Sequence, residues 1–295
     1  MTPRRSRSFA WLAAVALGAG LIACNLPFTQ PPATIAVPTV PPAEGASPIP
    51  ALASPATTPG PTAAPAAGGQ LVLYQPYAIV LAYVGPQTGT GSGLFTPLQQ
   101  ASQQALDDHG LVHGFGVNLV PFNDQCDNAT GASVAQQVVA DDHLVAVLGP
   151  VCSAAAEGAL PILEAAGVVM ISGSVTEPGL WTFGPTVFHR TLLNDDQIAA
   201  EGYVSQIYIE DLPSVQAFFS GYGGALLPEG RNHYIPYQYD AAGILLRALD
   251  LSAVLQPDGS LLIDRAALRA AVRGTAAYSG VTGSITFDTQ GNRLP

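Results

Sequence analysis

The chain has 295 residues, a net charge of −11 and 48% hydrophobic residues, a composition suited to a folded protein. Lys is absent, so all ten basic residues are Arg, which removes P-loop, Schiff-base and Ser-Lys chemistry. The acidic balance excludes nucleic acid and anionic membrane surfaces as natural partners.

In chain order, Arg4, Arg5 and Arg7 form a basic n-region, and Phe9 to Leu21 is an apolar run of 13 residues, too short to span a bilayer. Leu21-Ile22-Ala23-Cys24 follows and resembles a bacterial lipobox, which predicts a signal peptide over 1–23 and a lipid on Cys24. Residues 24–70 are rich in Pro, Ala and Thr, with Glu44 as their charged group. Such a segment buries too little apolar surface to fold. At about 3.1 Å per residue it would tether a domain on the order of 100 Å from a membrane.

Residues 71–295 read as an α/β lobe, with 71–198 its N-terminal part and 199–295 a returning C-terminal part. Strands are predicted at Ala78 to Tyr83, Val117 to Phe122, Val145 to Leu148, Val168 to Ile171 and Val187 to Arg190. Helices are predicted at Phe95 to His109, Ala129 to Asp141 and Ser153 to Ala166. Short continuous β-branched runs alternating with helices predict a doubly wound parallel sheet with helices on both faces. Beyond Asp195 the pattern changes. Glu201 to Ile209 reads as extended; Pro213 to Tyr222, Tyr237 to Val254 and Ala266 to Arg273 as helical; and Gly283 to Phe287 as a strand closed by the turn Asp288 to Arg293.

With Cys24 lipidated, Cys126 and Cys152 remain in an exported, oxidising compartment, which predicts a disulfide between them. It would join the loop after one strand to the loop after the next, worth about 3 kcal/mol in the chain-entropy model. The glycine loop Gly89-Thr90-Gly91-Ser92-Gly93 has G-x-G-x-G spacing rather than the dinucleotide fingerprint, and reads as a flexible ligand-side loop. His109 and His113 stand four apart, but Gly110 and Gly114 break the helix that would align them, and the five histidines show no metal-ligand spacing. The lack of a nucleophile elbow and the commitment of both cysteines leave no catalytic candidate. Asp107-Asp108, Asp141-Asp142 and Asp195-Asp196 read as solvated carboxylates at helix ends and loops. No enzyme activity and no cofactor is expected.

The turns carry the binding chemistry. Ser153 stands where a helix begins after Gly149-Pro150-Val151-Cys152, placing a hydroxyl and free N–H groups where a carboxylate would sit. Ser174-Val175-Thr176 holds the matching position after the next strand and offers a carbonyl and a hydroxyl. The plainer reading is that Ser153 caps its helix while Ser174 and Thr176 make a turn. Residue types alone leave both readings standing.

Several stretches together resemble the branched-chain amino-acid binding proteins, the type I periplasmic substrate-binding proteins of ABC importers: IVLAYVGPQTGTGSG, NDQCDNATGASVAQQVVADDHLVAVLGPVCS, ILEAAGVVMISGSVTEPGL, VFHRTLLNDDQ, and later AEGYVSQIY, PYQYDAAGILLRAL and SGVTGSITFDTQGNR. The resemblance implies the same disulfide and gives Ser153, Ser174 and Thr176 the ligand's α-carboxylate and α-amino group. It also implies an amino-acid ligand, an ABC importer permease as partner, and a lipid-anchored location outside the cell membrane. The pattern departs from the family after Asp195-Asp196-Gln197, which runs within three residues into Glu201-Gly202-Tyr203, where family members build a second lobe. A single lobe leaves a ligand half in water, so weak or undetectable amino-acid binding is expected. The alternative is a surface sensor or protein-interaction module using the uncovered face for a homodimer or another partner.

Overall fold

The computed structural model describes residues 69–295 except 90, 184–186, 202–208 and 228–230. The predicted signal peptide, Cys24 and nearly all of the predicted tether lie outside the described residues, as does most of the predicted Glu201 to Ile209 segment.

A short strand β1 (Gln70–Leu73) leads into β2 (Ile79–Gly85), α1 (Phe95–His109), β3 (Val117–Asn123), α2 (Asn128–Ala140), β4 (Leu144–Leu148), α3 (Ser153–Ala166), β5 (Met170–Ser172) and β6 (Phe188–Arg190). Strands β2 to β6 form a parallel sheet in the order β3-β2-β4-β5-β6. The chain continues through α4 (Asp195–Glu201), α5 (Pro213–Gly221), α6 (Tyr234–Ser252), β7 (Val254–Leu255), β8 (Leu261–Asp264), α7 (Arg265–Arg273), β9 (Tyr278–Gly280) and β10 (Gly283–Ile285).

Strand β2 shows why both faces are covered. Ile79, Leu81 and Tyr83 belong to the core layer shared with α1, α6 and α7, while Ala82 and Val84 belong to the layer under α2 and α3. The period of two thus sends apolar groups both ways, which a strand between two helical layers requires. Helices α2 and α3 approach at glycine: a Cβ on Gly158 would collide with the Asn128 carbonyl, and one on Gly131 with that of Ala155. Asp127 caps α2 through the Thr130 amide (2.8 Å), and Asp264 caps α7 through the amides of Ala266 and Ala267 (2.8 and 2.9 Å).

The structure corrects several expectations. The strand expected at Val168 to Ile171 is assigned over Met170–Ser172, although the Val169 carbonyl still receives the Val147 amide at 2.9 Å. Helix α6 starts at Tyr234, three residues before the expected Tyr237, because Pro236 falls in its first turn, where a missing N–H costs nothing. Glu201 and Ile209 are not extended: the first ends α4 and the second opens a 3-10 turn. An antiparallel sheet β1-β8-β7 was not foreseen, since its strands of two to four residues are shorter than a periodicity can register. His109 and His113 do converge, despite the glycines: the first meets the Asp250 carboxylate and the second its carbonyl, both at 3.0 Å.

The C-terminal turn covers one edge of the parallel sheet. The Arg190 amide donates to the Gly291 carbonyl (3.0 Å), and Phe287 bridges to Arg293. Buried Asp240 of α6 accepts from the Val281 and Thr282 amides and the Thr282 hydroxyl (2.7, 2.9 and 2.6 Å), fixing the β9–β10 hairpin on that helix. Burial raises the Asp240 pKa above the usual carboxylate range, while these hydrogen bonds oppose the rise.

Candidate functional site

All five parallel strands deliver their C-terminal loops to one edge, where open α/β sheets bind ligands. Side chains knit these loops together. The Asn123 carbonyl oxygen accepts from the amides of Gln87, Thr88 and Gln125, and its Nδ2 donates to the Thr88 hydroxyl (2.8 Å), tying the glycine loop to the end of β3. The expected disulfide is present between Cys126 and Cys152 and links the loop after β3 to the start of α3. Gly91, with φ +87°, lies against the Cys126 sulfur, where no larger residue fits. From the end of β5, Ser172 Oγ donates to the Pro150 carbonyl and Ser174 Oγ to the Val151 carbonyl, each at 2.8 Å.

The three expected ligand residues share this edge but differ in availability. Ser153 is the first residue of α3 and not its cap: the cap position belongs to Cys152, which makes no side-chain capping bond. Its hydroxyl is partly exposed and makes no hydrogen bond among the described residues. The start of α3 therefore keeps its free amide donors, as anion binding needs. Ser174 is nearly buried, and its hydroxyl proton is spent on Val151, the turn-making role anticipated as the plainer reading. Thr176 is partly exposed and donates to the Asp195 carboxylate at 3.2 Å.

Asp195 lies where it was expected, exposed at a helix end, but its contacts to the Ser174–Thr176 turn were not foreseen. Asn194 and Gln197 exchange hydrogen bonds at 2.9 Å in both directions, a reciprocal capping box that starts α4 and sets Asp195 in its first turn. The Asp195 amide donates to the Thr176 carbonyl (2.9 Å), so Thr176 holds this residue by backbone and side chain while its carboxylate stays exposed. Tyr234, at the start of α6, lies close enough that the Asp195 charge adds to burial in raising its hydroxyl pKa. The N-x-x-Q spacing after Leu193 was the available signal. Beneath this layer, Gln238 of α6 receives the Gly173 amide (3.1 Å) and donates to Ser102 of α1 (2.9 Å), holding the end of β5 against two helices.

Residues 78–207 match the periplasmic binding protein family. The chain is similar to that family over somewhat less than half of its length. The Leu/Ile/Val-binding protein of Escherichia coli K12 is 33% identical over 121 residues, which is 41% of this chain and 32% of that protein. An amino acid binding protein of Pseudomonas aeruginosa is 28% identical over 134 residues, 44% of this chain and 35% of that protein. The chain spans about a third of the length of the curated relatives it matches. Among solved structures, the leucine binding protein of Thermotoga maritima superposes with a TM-score of 0.56 at 17% identity, covering 74% of this chain and 93% of that one. The branched-chain amino acid transporter substrate binding protein of Streptococcus pneumoniae, in complex with isoleucine, gives 0.54 at 14%, covering 74% and 94%. At such identities the likeness establishes the fold, that of type I periplasmic-binding proteins.

The periplasmic-binding fold explains why the knitted edge is the place to look. The matched family is one of binding proteins rather than enzymes. Among the described residues, no three His, Cys, Asp or Glu side chains are grouped to hold a metal.

Proposed function

We propose that the chain is a lipid-anchored extracytoplasmic solute-binding protein serving a branched-chain amino-acid ABC importer, with binding weakened by the reduced second lobe. The observation that carries this reading is the pairing of opposites at one edge. The uncapped α3 start beside Ser153 suits a carboxylate, and the exposed Asp195 carboxylate on Thr176 suits an ammonium. Ser174 connects the two halves through Val151. These are the two ends of a free amino acid. Cys24 would carry the lipid, and residues 24–70 the tether.

The affinity follows from the number of walls. Two or three charge-assisted hydrogen bonds at about 1.5 kcal/mol each, in a site open to water, give a dissociation constant of ~1 mM. Calorimetric titration with Leu, Ile, Val and a wider amino-acid panel tests this, with light scattering to record the oligomeric state. Millimolar binding that Ser153→Ala and Thr176→Ala weaken is expected. Micromolar binding by the monomer would overturn the weakened-site reading. A tight dimer indifferent to all amino acids would favour a protein-interaction module instead. For the anchor, Cys24→Ser is expected to abolish both fatty-acid labelling and membrane association in cells.

A further inference from the structure

The segment from α5 to α6 builds a pocket of its own. Val215, Phe218, Phe219 and Tyr222 follow one another at helical spacings, so they share one face of α5 and its C-terminal cap. Val215 is buried, and the rings beside it pack together: Phe218 stacks on Tyr222 with centroids 5.2 Å apart, and Phe219 meets the same ring edge-on at 6.2 Å. The Tyr222 hydroxyl donates to the Pro97 carbonyl of α1 (2.9 Å), and the Ala225 amide to Gln100 Oε1 (2.7 Å), which fixes the segment on that helix. A Cβ on Gly224 would collide with the Tyr222 hydroxyl, so glycine is what lets the chain pass close to the ring. Phe219, Tyr222, Gly224, Leu226 and Asn232 line a pocket of about 350 Å³. The lining shares no residue with the edge that carries Ser153, Ser174, Thr176 and Asp195.

The chemistry of these walls selects an occupant. No lining side chain carries a charge, and burial pushes the Tyr222 pKa up to about 12, so its hydroxyl stays neutral. The Asn232 side-chain oxygen accepts from the Leu227 amide (2.9 Å), a group that can only donate. That bond orients the side-chain amide and leaves Nδ2 as a donor with no hydrogen bond among the described residues. Leu226 lines the same pocket yet is 60% exposed, apolar surface that an occupant would remove from water. We propose that this pocket binds a small uncharged molecule with an aromatic or branched-alkyl body and one accepting oxygen: the body lies against Phe219, Tyr222 and Leu226, and the oxygen takes the Asn232 Nδ2 proton. Ligand pockets run from about 300 to 1,000 Å³, and this one, near the lower bound, suits a single ring-sized molecule rather than a peptide. The inference goes beyond the amino-acid reading of the sheet edge and does not depend on it.

Ligand-observed NMR titration of the full chain with acetophenone, toluene and benzoate tests this, since the three pair one ring with a neutral accepting oxygen, with none, and with a charge. Acetophenone is expected to bind with a dissociation constant of ~1 mM or below, and toluene about fivefold more weakly for want of the hydrogen bond. Benzoate is expected not to displace acetophenone, because these uncharged walls offer its carboxylate no partner ion. Leu226→Asp, at an exposed position, is expected to weaken acetophenone and toluene alike by about tenfold. Asn232→Asp keeps an acceptor for the Leu227 amide but removes the donor, so acetophenone should lose about fivefold more than toluene. The proposal is overturned by any of four results: no acetophenone binding, binding indifferent to Leu226→Asp, equal losses for both probes in Asn232→Asp, or displacement by benzoate or by L-leucine. A dimer in light scattering that Leu226→Asp dissolves would also overturn it, by making this surface an interface between copies of the chain.

Discussion

Asp124→Asn is the most informative single change apart from the proposed ligand residues. Asp124 follows β3 and is completely enclosed; its Oδ1 accepts from the Cys126 amide at 2.9 Å, and its Oδ2 has no partner among the described residues. Burial raises its pKa from the ordinary 3.8 to about 6, against the pull of the Cys126 amide. The folded state therefore holds this proton more tightly than the unfolded chain. Its contribution to stability is complete below about pH 4 and is lost as pH rises through 6. Two pKa units correspond to about 3 kcal/mol. Asparagine keeps the acceptor for Cys126 but cannot ionise; it buries an amide that costs about 1–3 kcal/mol at every pH, and this shifts the curve without bending it. The diagnostic is the difference between variant and wild type. Urea unfolding from pH 4 to 8 should show the variant gaining about 3 kcal/mol relative to wild type between pH 4 and 7. Parallel curves across that range would refute the argument, whatever the offset between them.

His189 titrates in the same window with the opposite sign: burial pushes its pKa down to about 4, its Nδ1 faces the Val187 carbonyl at 3.1 Å, and its Nε2 has no partner among the described residues. Stability it contributes above pH 6.5 is lost as pH falls toward 4, so His189→Gln should flatten the acid limb by about 3 kcal/mol in the same urea series. The two titrations partly cancel in wild type, and only the variants expose them. Replacing Cys126 and Cys152 together by Ser should cost about 3 kcal/mol in chemical denaturation, as expected for opening a loop of 26 residues. Gly158→Ala should cost about 1–3 kcal/mol in the same assay, because the new methyl meets the Asn128 backbone rather than a movable side chain.

What could be read from residues alone follows the length of each signal. Helices α1 and α3 coincide with the predicted Phe95 to His109 and Ser153 to Ala166, since each carries a long one-sided apolar stripe between clear breakers. The parallel strands are short, with β2 and β4 apolar throughout, and the alternation with helices made up for their length. Strands β7 and β8 were invisible because Val254–Leu255 and Leu261–Asp264 gain their identity from pairing with each other and with β1. The site divides in the same way. Ser153, Ser174 and Thr176 could be named from their place after strands, but which hydroxyl stays available depends on contacts across the chain. Ser174 is spent on a residue 23 positions earlier, and Thr176 on one 19 positions later. Arg190 looked like the end of a strand because its partners, Val175 and Glu177, lie on a turn that only the fold brings above it.

These contacts also bear on how the proposed site would hold a ligand. The glycine loop, the Asp124–Asp127 turn, the α3 start and the Ser174–Thr176 turn are tied to one another by Asn123, the disulfide, Ser172 and Ser174. A ligand landing there orders little of the protein, so the entropic cost of binding falls mainly on the ligand itself. On the proposed reading, such an edge keeps its selectivity for a carboxylate beside an ammonium, because that selectivity is built from fixed dipoles and charges. What a site open on one side would lose is desolvation, which multiplies every one of those interactions. Selectivity and affinity therefore part company here. Among amino-acid analogues, the ranking should survive in this lobe while the absolute constants shift together toward weaker binding.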